Sequence, residues 1–577
     1  MLSRVLLALA CLFSLAAAAR PASAGELPEP AGIEWSACPV RVPSGARCGF
    51  LIVPERRDAP DRTIKVGFAR HMSTSMQRKP DPVVYTSGGP GSASLQLLGL
   101  LRQAFPDRDV IALEQRGSRW SEPSLGCPET AQLLLDELRA RPSGAGSCLA
   151  RLREEGVDPR GYTTAEIAAD VPALRAALGY PQWNLFGVSY STRSMLQAAA
   201  LDPEGTRAVV LDSFLPEQVA WYDDAERNLL DTLTRLGLRE QFDQAVRQAD
   251  AHPIELPALD PVRGTSFTTR LTGDDLKAFL AEALHEAPVL AVAPVLVGAL
   301  ADGRTEVLRP LMDQIAPALV SHDWGLYHAV QCQDEVPFNA FPAEPRLFTV
   351  KVDRALCREW ALPKGKPAKA TTQAPVLVVG GELDPTTPPR TARPAAAALP
   401  NARFAEFPGV GHAVFLSGAC GRRVIGAFVA DPAAAAQPVG CAAPYERVGP
   451  EEVHLTAAPY RLLGTPWLGF PLALFALFSV LQLVAGGGRG WALTAFAGLS
   501  GLAFLGLSFQ VLYAQFKTNQ VVLGLGVPSV VARELTVLLA VSAGLSLLAL
   551  TRRRGWPHLA SATVATGFLL WWVLWML

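Results

Sequence analysis

The chain has 577 residues, with 52 Lys and Arg against 53 Asp and Glu, for a formal net charge of −1. That balance excludes a polybasic nucleic-acid binder and an acidic solvating tail, so no nucleic-acid partner is expected. Hydrophobic residues make up 50% and charged residues 18%, below the roughly 25% charge of a soluble domain, which puts part of the chain in lipid.

Residues 1–24 read as a secretory signal. Arg4 supplies the positive start, Val5 to Ala19 an apolar run, and Ala22-Ser23-Ala24 a small-residue cleavage site ahead of Gly25. Beyond it, short apolar strands alternate with amphipathic helices. Gly49–Val53 and Ile64–Arg70 suggest an opening hairpin. Val83–Thr86, Val110–Leu113, Asn184–Gly187, Val209–Leu211 and Val376–Gly380 are further strands, with helical patterns such as Thr164–Leu178 and Thr192–Ala200 between them. Such alternation predicts an α/β fold, a mostly parallel sheet with helices on both faces. Residues 215–370 break the rhythm with helices such as Trp221–Leu236 and Asp274–Glu286, and read as a mainly helical cap inserted between two strands. The core is then split into 25–214 and 371–445, and 446–465 is a linker.

Four apolar stretches follow, about 466–485, 491–513, 527–550 and 556–577, each near the ~20 residues that span a bilayer. Arg533 and Glu534 stand near the start of the third, at an interface or against other helices. Arg489 lies between the first and second, and Arg552, Arg553 and Arg554 between the third and fourth. Both loops fall on one side, which the positive-inside rule makes cytoplasmic. Residues 466–577 are therefore expected to form a four-helix transmembrane bundle in contact with membrane lipid, with the preceding domain on the extracytoplasmic side. Trp571, Trp572 and Trp575 suit an interfacial belt.

Of nine cysteines, Cys11 falls in the signal. The other eight form sequence-local couples: Cys38 and Cys48, Cys127 and Cys148, Cys332 and Cys357, Cys420 and Cys441. An even number in an exported chain points to disulfides, and pairing within each couple is the simplest of many connectivities. No C-x-x-C or Cys/His cluster appears, so no metal and no cofactor is expected.

The chemistry concentrates in Asn184-Leu185-Phe186-Gly187-Val188-Ser189-Tyr190-Ser191, an apolar strand running through Gly-x-Ser into a helix. This is a nucleophile elbow, a turn so tight that small residues must flank the nucleophile. Ser189 then needs a base, and the base a carboxylate. Among the histidines late enough in the chain, His454 and His558 lie at the membrane segment. His412, in Gly409-Val410-Gly411-His412, follows a predicted strand at Arg403–Phe407. Asp384, after the strand ending near Gly380, is the expected acid, with Glu382 its rival. Backbone N–H donors for an oxyanion are expected from Tyr190 and from Gly89 or Gly88, in Ser87-Gly88-Gly89-Pro90-Gly91.

Gly-Gly-Pro-Gly after a strand, Glu114-Gln115-Arg116-Gly117, Gly-Val-Ser-Tyr, Gly-Glu-Leu-Asp-Pro-Thr-Thr-Pro and Gly-His together resemble the prolyl iminopeptidase and tripeptidyl aminopeptidase branch of the α/β-hydrolases. The segment His412 to Cys441 resembles that branch's tripeptidyl-aminopeptidase-like C-terminal piece. The resemblance spans about residues 35–445 and implies serine exopeptidase chemistry on a peptide with a free N-terminus, through an acyl-enzyme, under a helical cap. It departs from the family pattern at Ser191 for the second elbow Gly, Glu114 for Asp, and Ser87 for His, and the first departure would slow catalysis by crowding. An exopeptidase needs acidic groups for an α-ammonium, and Asp334, Glu335 and Glu217 are the candidates. Arg116 is a further substrate contact or a buttress of the glycine loop, and Asp170 and Arg175 read as a helix-surface pair. Two alternatives use the same residues: an esterase or lipase held near lipid, and a catalytically degenerate binding or sensor ectodomain.

Overall fold

The computed structural model describes residues 32–138, 147–260, 264–342, 348–366, 370–434 and 440–577. The expected signal at 1–24 lies outside them. In chain order the strands are β1 (Ile33–Ser36), β2 (Ala46–Pro54), β3 (Thr63–His71), β4 (Val83–Thr86), β5 (Val110–Leu113), β6 (Trp183–Val188), β7 (Thr206–Asp212), β8 (Ile254–Asp260), β9 (Thr265–Leu271), β10 (Val376–Gly381), β11 (Ala402–Phe407), β12 (Val453–Leu455) and β13 (Gly526–Pro528).

Among the described residues, nine strands form one sheet in the order β1-β2-β3-β5-β4-β6-β7-β10-β11. The first three and the β3–β5 pair are antiparallel, and every pair from β5 onward is parallel. β4, β5, β6 and β10 are buried along their whole length, which is why they read as continuous apolar runs, since parallel strands are covered on both faces. One face packs Ile167, Val171 and Leu174 of the helix Thr164–Leu178. The other packs Leu98, Leu101, Phe415 and Phe428. The helix Thr164–Leu178 starts where the Thr163 hydroxyl accepts from the Glu166 N–H and stops at Gly179 in the left-handed region. Such a cap contributes about 1 kcal/mol.

The cap between β7 and β10 is helical for most of its length, but it also contains the antiparallel β8–β9 hairpin, which sequence reasoning missed. β8 alternates strictly between buried and exposed, but its Pro257 and acidic positions mask the pattern. The 446–465 segment is not a plain linker. β12 pairs with β13, which comes from between the second and third apolar helices.

Among the described residues, four helices are long and apolar enough to cross a membrane: Pro466–Gly488, Ala492–Asn519, Val531–Arg552 and Trp556–Trp575. Small residues bring them close. A Cβ on Gly498 would lie 2.4 Å from the Ser479 carbonyl oxygen. Polar pairs close the interior, Gln482 Nε2 to Ser546 Oγ at 2.8 Å and Ser542 Oγ to the Ala497 carbonyl at 2.8 Å. The described cysteines are joined as Cys38–Cys48, Cys127–Cys148, Cys332–Cys357 and Cys420–Cys441.

Candidate active site

Ser189 stands between β6 and the helix Ser191–Leu201 with φ +58°. A non-glycine residue in that region stores about 1–3 kcal/mol and persists only when its surroundings hold it. Here the Ser189 N–H donates to the Asp212 carbonyl at 2.8 Å, and its own carbonyl accepts from the Thr192 hydroxyl at 2.6 Å. The turn is tight enough that a Cβ on Gly187 would lie 2.6 Å from the Ser191 carbonyl oxygen. Ser191 fits without the expected crowding. Its hydroxyl accepts from the Val188 N–H at 2.8 Å and lies 2.7 Å from the Thr86 carbonyl, so it ties the ends of β4 and β6 together.

Asp384 and His412 occupy the loops after β10 and β11. His412 Nδ1 donates to Asp384 Oδ2 at 2.8 Å, which leaves Nε2 as the acceptor nitrogen of the neutral ring. The N–H groups of Thr386 and Thr387 both donate to Asp384 Oδ1 at 2.8 Å, and the Thr387 hydroxyl donates to Oδ2 at 2.8 Å. Burial pushes the Asp384 carboxyl up, but the His412 charge and these hydrogen bonds outweigh it and hold it well below the usual carboxylate range. Burial likewise opposes the His412 imidazolium, yet Asp384 wins and the ring titrates above its ordinary value. The rival Glu382 is turned away and accepts from the Gly409 N–H at 2.9 Å.

Three supporting residues escaped the sequence reading. Asp212, at the end of β7, accepts from the N–H groups of Val414 and Phe415 at 2.9 and 2.7 Å. The Ser213 hydroxyl accepts from the Ala413 N–H at 2.9 Å. Together they clamp the turn that carries His412. Burial pushes the Asp212 carboxyl up to about 6 despite those bonds. The third is His285 in the cap. Its ring stacks on His412 with centroids 4.7 Å apart and planes 29° apart, and its Nε2 meets the Thr386 hydroxyl. The Asp-Ser ending of β7 was the only available signal for the first two; nothing local marks His285.

The glycine loop follows β4. Gln115 Nε2 donates to the carbonyls of Ser87 and Gly88 at 2.7 and 3.0 Å, and its Oε1 accepts from the Gly91 N–H at 3.0 Å. Glu114 Oε1 accepts from the N–H groups of Ser94 and Leu95 at 2.9 and 3.0 Å, and burial pushes its carboxyl up to about 7. Among the described residues, the N–H groups of Gly88, Gly89 and Tyr190 have no protein acceptor. Gly88 lies against the nucleophile, since a Cβ there would come within 2.8 Å of Ser189 Cβ.

Arg116 does not belong with the substrate contacts. It is 0% exposed, grips Asp170 through Nε and Nη2 at 2.8 and 2.6 Å, and donates Nη1 to the carbonyls of Glu55 and Gly161. Asp170 is correspondingly buried, and Arg175 pairs instead with Asp202. Glu335 is also engaged: it is ion-paired to the buried Arg193, and its second oxygen accepts from the Trp221 N–H at 3.1 Å. Asp334 Oδ2 accepts from the Thr164 N–H at 2.5 Å, and burial pushes its carboxyl up to about 6. Glu217 Oε1 accepts from Gln197 Nε2 at 2.6 Å. Its other oxygen has no partner among the described residues, and burial raises its pKa. Cys127, Glu129 and Cys148 lie together, but both sulfurs are in a disulfide and are not available as metal ligands.

Residues 81–249 match the α/β hydrolase fold family model, and residues 346–441 match that of the TAP-like proteins. The chain has the α/β-hydrolase fold. The chain is 25% identical over 424 residues to the serine protease Hip1 of Mycobacterium tuberculosis, covering 62% of this chain and 80% of that one. It is 28% identical over 226 residues to the tripeptidyl aminopeptidase of Streptomyces lividans, covering 33% and 40%. It is 25% identical over 342 residues to the proline iminopeptidase of Xylella fastidiosa, covering 58% and 84%. All three relatives bear the names of peptidases, the first a serine protease.

Proposed function

We propose that this protein is a serine aminopeptidase, held in a membrane by its C-terminal helices with its catalytic domain on the extracytoplasmic side. Ser189 Oγ attacks the peptide carbonyl while its proton passes to His412 Nε2. Asp384 holds the Nδ1–H and stabilises the imidazolium. The free N–H groups of Tyr190 and of Gly89 or Gly88 receive the oxyanion. His412 then protonates the leaving amine, and water releases the acyl-enzyme by the same base.

The observation that carries the aminopeptidase reading is the acidic cluster around the helix that follows the nucleophile. Arg193 lies in the first turn of the helix after Ser189, paired with Glu335. Asp334 is linked to Tyr190 through Thr164, whose N–H donates to Asp334 and whose hydroxyl lies 3.0 Å from the Tyr190 phenol. Three carboxylates against one guanidinium leave an excess of negative charge for a substrate ammonium. Glu217, half-buried with one oxygen unengaged, is its strongest acceptor. The three relatives, named as a serine protease, a tripeptidyl aminopeptidase and a proline iminopeptidase, favour the same reading.

Two independent features support the orientation. The chain turn between the second and third apolar helices lies against the catalytic domain through β12–β13. With four spans, the turns bearing Arg489 and Arg552 to Arg554 then fall on the opposite side, as the positive-inside rule requires of a cytoplasmic face.

The test is hydrolysis by the full chain in detergent micelles. Free-amine prolyl, alanyl and tripeptidyl reporter amides are compared with N-blocked amides and short-chain esters, each against Ser189→Ala. Cleavage confined to free-amine amides and lost in the variant is expected. Ester cleavage indifferent to the amine would replace the reading with an esterase, and no Ser189-dependent turnover would end it.

A further inference from the structure

The four apolar helices do more than end the chain, because the turn between the second and third is built into the cap. Val522 and Leu525 are 1% and 3% exposed and belong to the same apolar cluster as Leu284, Leu290 and Val292 of the cap. Gly524 lies against Pro310, a Cβ there falling 3.4 Å from the proline ring. Asn519, at the end of the second span, is buried. Its Nδ2 donates to the Pro288 carbonyl at 2.8 Å, and its Oδ1 accepts from the Val521 N–H at 3.0 Å.

Pro288 is three residues beyond His285. The intervening chain enters the helix Ala287–Ala301, so a fixed Pro288 fixes the segment before it. That segment faces the triad loop. Gly411 has its Cβ position 3.2 Å from the Leu284 carbonyl and 3.3 Å from Leu290, and the His285 ring lies flat on His412. A continuous path of packed groups therefore runs from Asn519 through Pro288 and His285 to His412.

We propose that the bundle is part of the active site's framework: Asn519 and the 519–528 turn hold the cap segment 284–288, which makes His285 a positioning residue that covers His412. The inference rests on His412 being the base. His285 shields one face of the imidazole from water. The charged or titratable groups facing His412 are Asp384, Asp212 and Glu282 and the stacked His285, and those facing His285 are Glu282, Glu286, Asp384 and His412. Burial works against the His412 imidazolium. Removing the shield relieves that burial, favours the charged ring, and moves the acidic limb of kcat/KM to higher pH.

The experiment uses the full chain in detergent micelles with Asn519→Asp, His285→Ala, both together, and His285→Phe. The Asp variant keeps the acceptor for Val521 and loses the donor to Pro288. Asn519→Asp and His285→Ala are each expected to lower kcat/KM roughly tenfold, the scale of a small misplacement of a catalytic group. Both are expected to shift the acidic limb upward, and the double variant no further than His285→Ala alone. His285→Phe, which keeps a ring over His412, restores the limb. Loss of folded protein alone would scale the rate without moving the limb. Amide hydrogen exchange of the same proteins supplies an arm independent of turnover: Asn519→Asp is expected to speed exchange in 284–293 and 409–414. An unmoved limb in an active Asn519→Asp enzyme overturns the inference, as does unchanged exchange in those segments. Absence of Ser189-dependent turnover in the parent chain overturns the peptidase reading, and exchange then still decides whether the bundle holds the cap against the His412 loop.

Discussion

Replacing Ser191 with glycine restores the residue usual at the second flank of a nucleophile elbow, and by the family pattern it would help. The structure predicts harm. The Ser191 hydroxyl is fully buried, accepts the Val188 N–H and reaches the Thr86 carbonyl. In Ser191→Gly the buried Val188 N–H is left without its partner, at a cost of about 1–3 kcal/mol. A glycine in the first helical turn adds about 0.5–1 kcal/mol of backbone entropy. Together these give roughly 2–4 kcal/mol, which lowers the thermal midpoint by roughly 4–8 °C at about 2 °C per kcal/mol. Because the lost bonds join the strand ends carrying Ser189 and the glycine loop, kcat falls as well, by roughly tenfold. The assay is heating of the full chain in micelles, followed by labelling of Ser189 with a fluorophosphonate probe, with kcat measured alongside. Ser191→Ala isolates the hydrogen-bond part and is expected to retain at least half of the loss in midpoint. A glycine variant as stable and as active as the parent would refute the claim that this serine replaces the usual glycine by bonding across the elbow.

Asp384→Asn is expected to lower kcat by roughly 10⁴-fold, because the amide no longer holds His412 in the reactive tautomer. The pH profile carries its own sign. The base must be neutral and Asp384 raises the His412 pKa, so kcat/KM of the parent rises with pH around a midpoint above the ordinary 6.5. In any residual activity of Asp384→Asn, burial is opposed only by the weaker charges of Asp212 and Glu282, and the midpoint falls. Glu217→Gln is expected to raise KM for free-amine amides about 10- to 100-fold, the equivalent of a charged hydrogen bond of about 1.5–3 kcal/mol. N-blocked substrates, measured in parallel, should be unaffected if Glu217 meets the ammonium. Arg116→Ala leaves Asp170 buried with only Arg57 as a charged partner, an imbalance of about 3–5 kcal/mol. It should depress the thermal midpoint while surviving enzyme keeps the parent KM; a KM change without destabilisation would return Arg116 to the substrate contacts.

The sheet was legible because its physics is local. Short runs such as Val110–Leu113 and Val376–Gly381 are apolar throughout, and only strands covered on both faces tolerate that. The loops carrying Ser189, Asp384 and His412 were legible for a related reason. Ser189 and Asp384 follow such strands at their C-terminal ends, His412 follows the half-buried edge strand β11, and glycines mark where backbone must pass closely, as Gly187 does against Ser191. The β8–β9 hairpin was not legible, because Glu255, Pro257 and Asp260 interrupt a pattern that only the folded cap sorts into inner and outer faces.

What sequence reading missed at the site was partnership at long range. Arg116 in a conspicuous motif looked available for substrate, yet its donors end on Asp170 and on carbonyls of Glu55 and Gly161. Glu335 looked like one of an acidic pair, yet its charge is met by Arg193, 142 residues away. No periodicity reports such pairs, because a charged side chain carries the same local signature whether solvent or a guanidinium receives it. The same blindness made the apolar tail look like an anchor alone. Asn519 and Pro288 are 231 residues apart, and one buried amide at the end of a span is indistinguishable in sequence from a residue capping a helix. Residues whose function lies in their own turn were readable; residues whose function lies in where the chain returns to meet them were not, and both His285 and Asn519 belong to the second kind.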